Sequence, residues 1–145
     1  SGNGMAAYVL PRLAGLAVEP RYREIAAKAL LPLQPLLAQY PLGFGQWLIA
    51  LDYVLAFPRE IAIVGETEAG GVQELLQVAR AGYQPHQVVA LATTDAEQAA
   101  IPLLQGRHPV AGQPTAYVCT GSTCRPPVSE PRDLQALLDR VQQVA

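Results

Sequence analysis

The sequence predicts an α/β protein in which N-terminal helical hairpins are followed by a small three-stranded parallel βαβαβα unit. Three observations carry that reading. The run Ile61-Ala62-Ile63-Val64-Gly65 is short, apolar and rich in β-branched residues, the mark of a strand covered on both faces. Two further runs of the same kind follow it, Val88-Val89-Ala90-Leu91-Ala92 and Thr115-Ala116-Tyr117-Val118-Cys119, with helical stretches between. Upstream of Pro58 the apolar residues recur at spacings of three and four instead, the period of a helix. The chain therefore divides by period into a helical segment, residues 1–57, and an α/β segment, residues 58–145.

In chain order, Ser1-Gly2-Asn3-Gly4 precedes Met5 and reads equally as a cloning remnant or as native chain. Asn3 is placed to cap a helix through Met5, Tyr8, Val9, Leu13 and Leu16, with Pro11 expected to kink it or end its first half. Val18-Glu19-Pro20 reads as a turn, and Pro20 as the first residue of a second helix. That helix is predicted over Arg21 to Gln39, with Tyr22, Ile25, Ala29, Leu33, Leu36 and Leu37 on one face and a bend at Pro32 and Pro35. A loop at Tyr40-Pro41-Leu42-Gly43 leads to a third helix, Phe44 to Phe57.

From Arg59 the period changes. Strand one is expected over Glu60 to Val64, a helix over Val72 to Ala81, and strand two over Val88 to Ala92. Thr94 or Asp95 is placed to cap a short helix ending near Ala100. After strand three, Ser129 is expected to cap a last helix, Pro131 to Val144, with Leu134, Leu137, Leu138 and Val141 on one face. The order βαβαβα implies parallel strands joined by right-handed crossovers.

Composition narrows the function classes. Half the residues are hydrophobic and only 15% are charged, against roughly 25% in an average domain. Some of this surface is therefore expected to be buried against another part of a larger protein. The net charge of −2, with Lys28 as the only lysine and no basic cluster, argues against nucleic acid or an anionic membrane as partner. No apolar stretch reaches the ~20 residues of a membrane span, and no signal peptide is visible. Two cysteines do not make a disulfide scaffold. A cytoplasmic protein is the expectation.

Several residues invite a chemical reading. The loop Gly65-Glu66-Thr67-Glu68-Ala69-Gly70-Gly71 follows a strand and opens a helix, the setting in which phosphate is held, so Gly65, Gly70 and Gly71 form a candidate ligand loop. It lacks the Lys-Ser/Thr of a P-loop and the glycine spacing of a dinucleotide site, and its glutamates would repel phosphate, so an ordinary strand-to-helix turn is favoured. Cys119 and Cys124 form Cys-x4-Cys with Gly121 between, a candidate redox pair. A buried strand thiol and a separate loop thiol is the favoured alternative. Zinc would need four ligands, and the spacing of His86 and His108 to these cysteines matches no zinc pattern.

His86 and His108 read as surface loop residues, and Asp52, Glu60, Glu66 and Glu68 as solvated carboxylates rather than a glycosidase pair. Tyr8, Tyr22, Tyr40, Trp47 and Tyr53 fall at helical spacings and read as core. No resident cofactor or metal is implied.

Taken together, Ser1-Gly2-Asn3, the helix with Tyr22 and Ile25, and the stretch from Gln46-Trp47-Leu48 to Ala50-Leu51-Asp52 resemble the closing part of a larger protein. So do Pro58-Arg59-Glu60-Ile61-Ala62-Ile63-Val64-Gly65 and Pro114-Thr115-Ala116-Tyr117-Val118-Cys119 with Cys124 and Pro127. The resemblance is to the thioredoxin-domain-containing family that includes spermatogenesis-associated protein 20. It covers nearly the whole chain, and its most specific part is Ala-Tyr-Val-Cys-x4-Cys. It implies a thioredoxin-like domain upstream, then an (α/α)6 toroid similar to N-acylglucosamine 2-epimerases and certain glycosidases. Residues 1–57 would be the last helices of that toroid, and residues 58–145 a C-terminal α/β subdomain.

The function expected is structural completion of that larger protein, with no complete active site in this chain. Its partners would be the upstream domains of the same protein, with self-association through exposed apolar helices when those domains are missing. The rival reading is a small ligand-binding or redox- or metal-switch domain using the loops after strands one and three. Whether the chain is an enzyme is left open by the sequence.

Overall fold

A computed structural model describes residues 2–66, 70–121 and 123–142. Thr67, Glu68 and Ala69 of the candidate ligand loop lie outside the described residues, as do Ser1, Ser122 and the residues after Gln142. The chain is mixed helix and sheet and splits into two compact units, Ser1–Pro58 and Arg59–Ala145.

The first unit is helical: α1 Gly2–Ala17, α2 Pro20–Leu30, α3 Gln34–Gln39 and α4 Gly45–Leu55. Pro11 neither ends α1 nor divides it; it sits buried within one continuous helix. A proline removes one backbone donor, and α1 is held over its length by packing against α2 and α4. Asn3 accordingly lies inside α1 rather than capping it. Pro20 opens α2, and the Glu19 side chain caps it by accepting from the Arg21 N–H. The long second helix is broken rather than simply bent. A single 3-10 turn, Leu31–Leu33, separates α2 from α3, with Pro32 and Pro35 each near the start of a new segment where a missing N–H costs least. The core of this unit is Ala7, Leu30, Leu37 and Ala50, with Tyr8, Phe44, Trp47 and Leu51 half-buried around it. Tyr53 is fully buried, whereas Tyr40 is exposed and belongs to no core.

The second unit carries a four-stranded mixed sheet, order β2-β1-β3-β4, built from β1 Arg59–Val64, β2 Gln87–Ala92, β3 Thr115–Thr120 and β4 Thr123–Cys124. Its helices are α5 Gly71–Arg80, α6 Asp95–Ala100 and α7 Pro131–Gln142. The crossover from β1 through α5 to β2 gives a parallel pair, Ile61 beside Val89 and Ile63 beside Leu91. The third strand departs from the predicted unit: β3 runs antiparallel to β1, with Val64 opposite Thr115 and Glu60 opposite Cys119.

The connection from β2 to β3 holds the short helix α6, the 3-10 turn Pro102–Leu104 and a turn closed by the Val110–Gln113 bridge, and it delivers the chain to the end of β1, where β3 starts. A fourth strand, absent from the sequence reading, then folds back on β3.

Alternation divides the sheet. Ile61, Ile63, Ala116 and Val118 form one core with Val72, Leu75 and Ala79 of α5 and Leu134 and Leu138 of α7. The opposite face carries the small residues Ala62, Ala90 and Ala92, and the 3-10 turn Pro102–Leu104 packs against β1 and β2, burying Leu103 and Leu104. Thr94, not Asp95, caps α6 by accepting from the Glu97 N–H. Ser129 does not cap α7. The first α7 amides reach the Glu130 carbonyl, and the Ser129 hydroxyl lies 3.2 Å from that of Thr115.

Candidate functional site

Gly65 is a packing glycine. A Cβ placed there would lie 2.8 Å from the Pro114 Cα and 2.9 Å from a Val72 methyl, so the residue before β3 can cross the end of β1 only where no side chain stands. Gly70 takes a left-handed φ of 55° ahead of α5, a conformation that favours glycine. Gly71 is the first residue of α5, in ordinary contact with Pro114. These contacts account for Gly65 by close packing and for Gly70 by backbone conformation, in keeping with a turn from strand to helix.

The two cysteines behave differently. Cys119 and Cys124 face each other directly across β3 and β4 and are joined in a disulfide. The sequence reading favoured separate thiols; the hairpin brings them together. The sequence did hold a signal for this. Gly121-Ser122 between Thr120 and Thr123 is the composition of a two-residue hairpin turn, and Gly121 has φ 59°. Such a turn puts residues 119 and 124 in register. Because β3 is antiparallel to β1, the cysteines sit at the edge where β1 begins, whereas Gly65 sits where β1 ends. Five strand steps, about 17 Å, separate the two candidate sites. They do not form one pocket.

Around the disulfide the second sheet face gathers polar groups. The Arg107 guanidinium donates to Cys119 Sγ at 3.5 Å and lies 5.8 Å from the centre of the Tyr117 ring. Its position is set from several directions. The Arg107 N–H reaches the Leu104 carbonyl, and the Gln98 side-chain amide donates to the carbonyls of Leu104 (3.1 Å) and Arg107. The Tyr117 hydroxyl donates to the His108 carbonyl at 2.7 Å. Glu60, half-buried, lies opposite Cys119 on β1. Arg107 was not anticipated, since nothing in a lone loop arginine twelve residues upstream announces a sulfur contact.

The two flanks of the disulfide differ in access. Cys119 is 2% exposed, whereas Cys124 is at the surface. Nearby, Arg125, Pro126, Val128, Leu137 and Arg140 line a shallow groove of about 290 Å³.

The remaining candidates lie apart. His86 uses its carbonyl to accept from the Arg59 N–H, and the His108 ring is exposed. Asp52 is exposed on α4, and Glu66 is exposed after β1. Among the described residues no three histidine, cysteine, aspartate or glutamate side chains gather to hold a metal, and no helix is long and apolar enough to cross a membrane.

No protein-family model matches the chain. No solved structure matches it significantly. Among curated proteins it is similar to spermatogenesis-associated protein 20 of Homo sapiens and of Rattus norvegicus, each 26% identical over 141 residues, and of Mus musculus, 23% identical over 141 residues. In each case the match covers 95% of this chain and 18% of the relative. The chain is thus related in sequence, over nearly all its length, to a region making up less than a fifth of spermatogenesis-associated protein 20.

Proposed function

We propose that this chain is a structural region of a larger protein. The helical unit supplies closing helices of an α/α toroid of the epimerase or glycosidase kind, and the α/β unit forms a C-terminal extension. A thioredoxin-like domain would stand upstream. On this reading the chain holds no complete active site, any reaction belongs to the whole protein, and the setting is cytoplasmic.

One observation supports this most directly: α1 is apolar on both sides, with its smaller residues inside. Gly4, Ala7, Pro11 and Gly15 are its buried stripe. Met5, Val9 and Leu13, one turn apart, are 52%, 37% and 41% exposed. A helix facing water on one side normally carries polar residues there, and contiguous exposed apolar surface marks a place where something binds. Ile25 on α2 and Ile49 on α4 are likewise exposed. The rest of the larger protein is the occupant that this reading assigns to the stripe.

The test compares the isolated chain with the longer gene product, each with and without Met5→Gln, Val9→Gln and Leu13→Gln together. The isolated chain should self-associate and bind an apolar dye, and the triple variant should relieve both. In the longer protein the same changes should lower the unfolding temperature. An isolated chain that is monodisperse and dye-free, with the triple variant silent in the longer protein, would sink the proposal.

A further inference from the structure

We propose that Cys119–Cys124 is a directional thiol–disulfide exchange site, in which a small thiol or dithiol attacks Cys124 and Cys119 departs as a thiolate held by Arg107. The inference uses only the α/β unit and is independent of the toroid reading.

Access selects the point of attack. The incoming thiolate must approach one sulfur along the S–S axis. Cys119 is buried beneath its strand neighbours at 2% exposure, whereas Cys124 is on the exposed two-residue strand β4. Charge selects the leaving group. Exchange is faster when the departing sulfur is a better thiolate, and a neighbouring arginine favours the thiolate form. The Arg107 guanidinium already contacts Cys119 Sγ at 3.5 Å, and the Gln98 and Tyr117 hydrogen bonds hold its loop in place. Glu60 opposite Cys119 is the acidic neighbour that this contact must outweigh.

The chemistry balances as follows. A thiolate sulfur of the reductant bonds to Cys124 Sγ as the Cys119–Cys124 bond breaks, and the electron pair of that bond leaves on Cys119 Sγ beside Arg107. A second thiolate, the other sulfur of a dithiol or a second small thiol, attacks the reductant sulfur of the mixed disulfide and releases Cys124. Two electrons enter the protein, the reductant becomes a disulfide, and the protons of its two thiols pass to the two cysteines or to solvent. A disulfide that opens in this way fits a reducing compartment, where such bonds are characteristically transient and redox-sensing.

The experiment incubates the 145-residue chain with reduced glutathione without oxygen, quenches in acid, and locates the adduct by peptide mass mapping. Glutathione is expected on Cys124, with little on Cys119. Arg107→Gln should slow opening roughly tenfold, and Arg107→Lys should restore most of the rate, because the charge rather than the packing sets the leaving group. Comparable adducts on both cysteines would overturn the proposal. So would an Arg107→Gln rate within about twofold of the parent in a variant whose circular dichroism is native. A folded chain that stays closed at a glutathione concentration sufficient to reduce it in denaturant would overturn it too. Adduct position is read in the unmutated chain, so the proposal remains falsifiable even if Arg107→Gln does not fold.

Discussion

The buried guanidinium of Arg59 donates a 2.9 Å hydrogen bond to the carbonyl of Leu138, joining the first residue of β1 to α7 across 79 positions of sequence. Its other arm donates to the Gln84 side chain in the turn before β2. Burial lowers the arginine pKa from its ordinary value, and the nearby Asp139 charge opposes that shift. The group remains a cation, because an arginine does not deprotonate in a protein. Arg59→Met should therefore lose about 1.5–3 kcal/mol, the range for hydrogen bonds to a charged group, measured by urea unfolding. Arg59→Lys should recover little of it, since an ammonium cannot span both acceptors. A loss below about 0.5 kcal/mol would show that the bond contributes nothing net.

Gly65 and Gly71 flank the same loop and give opposite predictions. A methyl at Gly65 collides with the backbone of Pro114, which cannot swing away as a side chain can. Gly65→Ala should cost about 1–3 kcal/mol, the range for overpacking. At Gly71 the nearest atom to a new methyl is Pro114 Cγ at 3.6 Å, an ordinary contact at the start of a helix. Gly71→Ala should be neutral or stabilising by about 0.5–1 kcal/mol through the greater helix propensity of alanine. Thermal unfolding of the two variants side by side decides it; equal shifts would contradict the packing account.

The Glu97 carboxylate accepts from the Thr93 N–H at 2.7 Å and the Thr93 hydroxyl at 2.9 Å, and these bonds, with weaker help from Thr94, hold its pKa below the ordinary carboxylate value. The sign follows from linkage. A carboxyl group lowered on folding stabilises above its unfolded value, and that contribution is lost as the pH falls through the lowered one. Carboxyl NMR should find Glu97 titrating below the ordinary carboxylate value, and Thr93→Val should move it back up. A Glu97 titration unmoved by Thr93→Val would dismiss the hydroxyl as a cause.

How far the sequence carries can be judged from particular elements. The β1, α5 and β2 segments were legible because each is a long enough run of one period, bounded by Gly or Pro. The direction of β3 was not, because the apolar pattern of a strand is the same in either direction. Thr115 shows the limit at the level of side chains. Its buried hydroxyl accepts from the Val110 N–H, donates to the Gln113 carbonyl and touches Ser129. A threonine within an apolar run conveys none of that, and it draws Ser129 away from the cap its composition suggested. The cysteines were in view as a pair, but the arginine beside them comes from a loop whose path local sequence does not define.

The neighbours Arg12 and Leu13 on α1 separate what stabilises this chain from what its surface is for. The Arg12 guanidinium lies between two rings, 3.9 Å from the centre of Tyr8 and 4.0 Å from that of Tyr53 on α4, and donates to the Tyr8 carbonyl at 2.7 Å. Stacking of a partly desolvated guanidinium on an aromatic face is worth about 1–2 kcal/mol. Arg12→Gln should lower the stability of the isolated helical unit by that order, and Arg12→Lys should not fully replace the planar group. Leu13, one residue on, is 41% exposed. Leu13→Gln should change the unfolding of the isolated chain by no more than about 0.5 kcal/mol, the range of ordinary surface substitutions. Denaturant unfolding of both single variants, monitored by the fluorescence of Trp47 in the same unit, measures the contrast. If Leu13→Gln proves as costly as Arg12→Gln in the isolated monomer, the outer stripe of α1 is part of this chain's own core, and the case for a partner covering it falls.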